Sequence, residues 1–173
     1  MNFEKLVLPP ISIAGLYNKV LIETEGELPF SNKQPEIVIG NNYSYFGNHK
    51  NHISIIVNFA DEEIIPDHHL KFISRIMEAC KTNAEDCAIL NYSQQRIEIK
   101  LLREQLQPKY ILLFGVSTEE IGLPVNFPFF KPQEYDSITF LSTPSLSELN
   151  QENEDGKLLK SKLWVCLRKI FQV

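Results

Sequence analysis

Three acidic residues in a row, Asp61-Glu62-Glu63, follow the apolar run Ile53-Ser54-Ile55-Ile56-Val57-Asn58-Phe59. Carboxylates just past a buried strand could activate water by taking its proton. The same residues also suit a solvated strand–helix loop. The chain holds 4 histidines. His68 and His69 are neighbours, and neighbours on a helix point about a third of a turn apart, so they do not share a metal as an i, i+4 pair would. His49 and His52 lie by a polar-aromatic stretch, where they could meet a metal or a phosphate or simply face solvent. Tyr43, Tyr45 and Phe46 could stack on bases or anchor their own loop onto the core. Ser145 follows Pro144 without a Gly-x-Ser-x-Gly elbow, and with Glu148 it reads as a helix capping box. Cys80, Cys87 and Cys166 are an odd set, widely spaced among apolar residues. That spacing fits neither a disulfide framework nor a zinc site and suits buried thiols in a reducing compartment. No metal, cofactor or catalytic residue is expected.

Charge points the same way. The net charge is -5, which argues against nucleic-acid binding by overall electrostatics. Direct nucleic-acid binding is expected to be weak or absent. The distribution is uneven, however. Lys157, Lys160, Lys162, Arg168 and Lys169 crowd the end of the chain with no acidic residue among them. Lys157, Lys160 and Lys162 are the candidates for phosphate contact, although cations also suit the solvated C-terminal half of a helix. Trp164 falls outside the apolar stripe of that helix and is the best single candidate for a partner-binding hot spot.

The elements that must position these residues follow from pattern. With 173 residues, 43% of them hydrophobic and 23% charged, the chain has the balance of an ordinary globular protein and enough length for a sizeable core. No apolar run reaches the length of a membrane span, and Met1 to Lys5 does not begin a secretory signal. A cytoplasmic protein is expected. Residues 1–50 read as an N-terminal segment, with a short helix over 11–18, a loop over 26–40 and a turn-rich stretch over 41–48. Residues 51–173 read as an α/β domain. Short β-branched or apolar runs at 53–59, 87–90 within 84–91, 110–114 and 138–141 predict buried strands. Helical spacing predicts helices over 67–80, 96–107 and 155–171, with Asp67 as an N-cap candidate after Pro66. Ser117 and Glu120 predict a further capped short helix, and the proline-rich stretch 123–132 a loop. Strands alternating with helices predict a three-layer α/β/α domain around about four parallel strands. A ligand would then bind beyond the carboxyl ends of the strands.

Two segments at those ends carry a resemblance. Ile99-Lys100-Leu101-Leu102-Arg103-Glu104-Gln105-Leu106-Gln107-Pro108-Lys109-Tyr110-Ile111-Leu112-Leu113-Phe114-Gly115 resembles the helix, turn, strand and glycine of uracil-DNA glycosylases. Thr139-Phe140-Leu141-Ser142-Thr143-Pro144-Ser145-Leu146, followed by a lysine-rich helix with Leu163-Trp164, is similar to the segment in which their His-Pro-Ser turn follows the last strand. Asn91 sits where that family reads the uracil edge. The resemblance covers roughly residues 53 to 171 and implies a uracil-DNA-glycosylase-like fold. It also implies a degenerate site at Asp61, Asn91, Thr143, Pro144 and Ser145. The stretch from Phe59 to Pro66 has no glycine where the family has a Gly- and Pro-containing turn. Thr143 replaces the family histidine, and a hydroxyl cannot carry the positive charge that a departing uracil anion favours.

The chain is similar to one non-catalytic branch of that fold, the psi-subunit family of bacterial DNA polymerase III. This resemblance implies a replication scaffold whose partners are clamp-loader-type subunits or a chi-like subunit. It places docking in residues 1–22, through Leu6, Leu8, Ile11, Leu16 and Tyr17. The alternative is a divergent glycosylase or related DNA-repair hydrolase using Asp61, Asn91 and Thr143. A further alternative is a DNA-binding scaffold that uses the basic stripe.

Overall fold

The computed structural model describes residues 42–60 and 65–173. The short helix expected over 11–18, the loop over 26–40, Asp61 and the docking candidates Leu6, Leu8, Ile11, Leu16 and Tyr17 lie outside the described residues. The described residues form a mixed α/β domain with a central sheet flanked by helices. The elements are β1 (Ile53–Val57), α1 (Asp67–Ala79), a 3-10 turn (Ala84–Asp86), β2 (Ala88–Asn91), α2 (Ile99–Leu106), β3 (Tyr110–Phe114), β4 (Gln133–Tyr135), β5 (Ile138–Thr143), α3 (Leu146–Leu149) and α4 (Glu154–Phe171).

The sheet has five strands in the order β2-β1-β3-β5-β4. The first four are parallel, and only β4 runs antiparallel, against β5. All five residues of β1 are buried, because both faces of the strand are covered. Ile53, Ile55 and Val57 face one core, with Ile73 and Met77 of α1 and Leu163, Cys166 and Leu167 of α4. Ile56 faces the other core, with Leu102 and Leu106 of α2 and Ile121, Leu123 and Phe127 of the following segment. This alternation is the period-2 geometry of a strand, and burial on both sides explains the apolar sequence. Truncating one such isoleucine to alanine costs about 2–5 kcal/mol in lost burial and cavity.

Several boundaries differ from the sequence reading. The N-cap of α1 is Pro66 rather than Asp67, which opens the helix without a side-chain cap bond. The strand expected at 87–90 runs one residue later, from Ala88 to Asn91, after the 3-10 turn. Helix α2 begins at Ile99, and its last turn closes into Gln107 at φ 47. Pro108 disfavours helical backbone at the residue before it, which makes that a natural stop. The Ser117–Glu120 capping box forms, but no helix follows it. Glu120 N–H donates to Ser117 Oγ and Ser117 N–H to Glu120 Oε2, then Gly122 at φ 83 turns the chain away.

Strand β4 was not expected. It pairs through a two-residue hairpin in which Asp136 and Ser137 take φ 51 and 62. Two positive φ values in sequence define the type I′ turn that joins twisted strands best. The sequence carries Asp-Ser there instead of the usual Asp-Gly, which hides the signal.

Residues 42–50 belong with the α/β core. The Tyr43 hydroxyl accepts from Glu98 N–H at 2.8 Å, and Tyr43 and Tyr45 pack on the α2 side of the sheet. Phe46 bridges antiparallel to Ile89. Gly47 makes that approach feasible, since a Cβ there would lie 2.0 Å from the Cys87 carbonyl oxygen. Among the described residues no helix is long and apolar enough to cross a membrane.

Candidate functional site

The parallel topology brings the ends of β1, β2, β3 and β5 to one edge of the sheet. Chain order reverses between β1 and β3, the place where open α/β sheets hold ligands. Four of the five residues expected at this edge are described: Asn91, Thr143, Pro144 and Ser145.

Asn91 ends β2 and is only 5% exposed. Its Oδ1 accepts from Phe59 N–H at 3.0 Å, and its Nδ2 donates to the Phe59 carbonyl at 3.2 Å. Ser93 N–H also donates to Oδ1, at 3.3 Å. The amide that a base-reading role would need is thus engaged with the main chain just past β1.

Thr143 ends β5 and is fully buried. Its hydroxyl donates to the Leu113 carbonyl at 2.8 Å, on the neighbouring strand β3. Pro144 is buried behind it. Ser145 caps α3 reciprocally: its Oγ accepts from Glu148 N–H, and the Glu148 side chain accepts from Ser145 N–H. Gly115, at φ 68, lies against this turn. A Cβ there would meet Ser145 Cβ at 3.0 Å and Cα at 3.1 Å. The ends of β3 and β5 are therefore in close contact, and Gly115 N–H donates to the Thr143 carbonyl at 3.1 Å.

The histidine nearest this edge is His69. It is buried, stacks on Phe59 with ring centroids 4.8 Å apart and accepts at Nδ1 from Asn150 Nδ2 at 3.1 Å. Burial, and then the neighbouring His68, hold its imidazole below the ordinary histidine range. The two rings are 3.9 Å apart. Among the described residues no group of three or more His, Cys, Asp or Glu side chains could hold a metal ion. All three cysteines are buried and free. Burial pushes the Cys80 thiol up to about 11 and Cys87 up to about 12. Cys166 is raised as well, with Lys169 opposing the shift.

No family model and no curated protein matches this chain. The site must therefore be judged on its own geometry. That geometry gathers Asn91, Thr143 and Ser145 at one edge, each bound to the chain's own backbone. It does not gather the lysines. Lys157 and Lys162 are five residues apart on α4, so they project roughly 140° from one another. Lys157 is also paired with Glu154 at 2.8 Å. Trp164 is 38% exposed on the flank of α4. Phe59, His69, Asn150 and Gly115 complete the edge; Asn150 was not named from the sequence, and the contacts of Phe59 and His69 with this edge were not foreseen. Phe59 is 32 positions from Asn91, and no local pattern announces a pairing at that range. Two clefts lie away from this edge. One, of about 460 Å³, opens between α2 and the β4–β5 hairpin. The other, of about 300 Å³, lies between α4 and residues 130–133.

Proposed function

We propose that this chain is a non-catalytic scaffold with a uracil-DNA-glycosylase-like fold, akin to the psi-subunit family, that joins protein partners in the cytoplasm during DNA replication. The observation that carries the reading is the use made of the strand-end side chains. Asn91 holds Phe59, Thr143 holds Leu113, and Ser145 caps α3. General acid–base or leaving-group catalysis needs a polar group that can reach a substrate proton or a developing charge. Here those groups stabilise the fold. The close approach of Gly115 to Ser145 leaves little room between the ends of β3 and β5. Four parallel strands in one sheet, with helices on both faces, also accord with the fold that the resemblance implies. The partner surfaces would be residues 1–22 and the flank of α4 that carries Trp164.

The test is uracil release from single- and double-stranded DNA. No release is expected from the full chain. Release that is lost in both Asn91→Ala and Asp61→Ala, with both variants folded, would establish the divergent glycosylase instead.

A further inference from the structure

We propose that the groove between α4 and residues 130–133 docks an acidic peptide segment that carries large apolar side chains. The helix supplies one wall. Leu158, Lys162, Val165 and Lys169 stand at i, i+4, i+7 and i+11 along α4 and so share an arc of roughly 60° on its outer surface. Val165 is 65% exposed and Leu158 is 54% exposed. The inner stripe of the same helix, Leu163, Cys166 and Leu167, already fills the core, so burying the outer pair requires something beyond this domain. The opposite wall is Phe130 to Gln133. Between the walls lies a cleft of about 300 Å³ lined by Val165, Pro132, Lys131 and Lys169, with no acidic side chain in its lining.

Charge selects the occupant. Among the described residues Lys131, Lys162 and Lys169 make no ion pair, whereas Lys157 is neutralised by Glu154. Lys131 and Lys169 line the cleft, and Lys162 continues the same stripe of α4, on a chain whose net charge is -5. An acidic segment with apolar anchors complements both features at once: its carboxylates meet the lysines and its anchors cover Val165, Leu158 and Pro132. A nucleic-acid backbone would satisfy only the lysines. Phe130, the one aromatic ring in the lining, is packed in part against the core, which leaves a base little of its face to stack on.

This inference rests on the scaffold reading only in giving the chain a protein partner. The groove is tested on the isolated full chain, so it can fail while host partners are still captured through residues 1–22. The probe is a fluorescent helical peptide with Leu at i, i+3, i+4 and i+7 and Glu elsewhere, followed by anisotropy. Saturable binding is expected that weakens roughly tenfold in Val165→Glu and again in Lys169→Glu. Both sites are exposed, so folding should hold, and Lys162→Glu is a second charge reversal on the same stripe. A peptide with Lys in place of Glu should bind the doubly charge-reversed chain better than the wild type. No binding of the acidic peptide, or binding that none of these substitutions changes, overturns the proposal. So does binding of a single-stranded oligonucleotide, or of anionic vesicles, that these substitutions abolish while the acidic peptide does not bind.

Discussion

The side-chain amide of Asn91, at the end of β2, is bonded to both main-chain groups of Phe59, just past β1. Phe59 N–H donates to Oδ1 at 3.0 Å, and Nδ2 donates to the Phe59 carbonyl at 3.2 Å. The last backbone pair in this ladder is Val57 with Asn91, and Tyr92 N–H donates to the Val57 carbonyl at 2.8 Å. The amide therefore acts as one more rung, extending the β1–β2 pairing past the point where the backbones separate. It also fixes the Phe59 ring against His69.

Asn91→Ala should therefore be a stability mutant. It strands a donor and an acceptor at a buried site, which costs about 1–3 kcal/mol. Urea unfolding should show a lower midpoint with an unchanged slope. An unchanged midpoint would mean that the amide is held for something other than the fold.

Gly115→Ala should destabilise for a different reason. The residue is at φ 68, and its Cβ would press on Ser145 Cβ and Cα at 3.0 and 3.1 Å. Backbone cannot yield as a flexible side chain does, so the ends of β3 and β5 must part. Strain of this kind costs about 1–3 kcal/mol. Thermal unfolding of the variant measures it, and a wild-type melting temperature would show that the contact relaxes freely.

His69 should make stability fall on mild acidification. Its folded-state pKa lies below the ordinary 6.5, through burial and then His68. Below that ordinary value the unfolded chain binds a proton that the folded chain resists, so stability drops as pH falls; well above it both states are neutral and the effect vanishes. From about pH 7 to about pH 5 the denaturation midpoint should fall more steeply for the wild type than for His69→Gln. Parallel curves would contradict this.

The three thiols should be unreactive in the native state. All are buried, and burial pushes Cys80 to about 11 and Cys87 to about 12, so little thiolate exists at neutral pH. A thiol-reactive chromophore should report almost no fast reaction natively and 3 thiols in denaturant. Fast labelling of the native chain would show that one of these sites opens.

The buried strands were readable because apolar runs such as Ile53 to Val57 and Tyr110 to Phe114 have a single physical explanation, a sheet covered on both faces. The capping box at Ser145 was readable because its partners are three residues apart. The site was less so. Asn91 ends its strand as expected, but its engagement with Phe59 depends on strand neighbours that only the folded sheet defines. Thr143 likewise meets Leu113 across a ladder 30 residues apart in sequence. The hairpin strand β4 was hidden because Gln133-Glu134-Tyr135 is short and polar, and its turn lacks glycine. The lysines looked like one cluster because sequence distance ignores helical rotation. On α4 they divide between two flanks, and only one flank borders a groove.

Affinity purification of the tagged chain from its native host, with mass spectrometry of the captured proteins, tests the scaffold reading most directly. The account predicts recovery of clamp-loader-type or chi-like subunits that is lost on deleting residues 1–22. Capture of no replication protein, with the full chain folded and expressed, would contradict it.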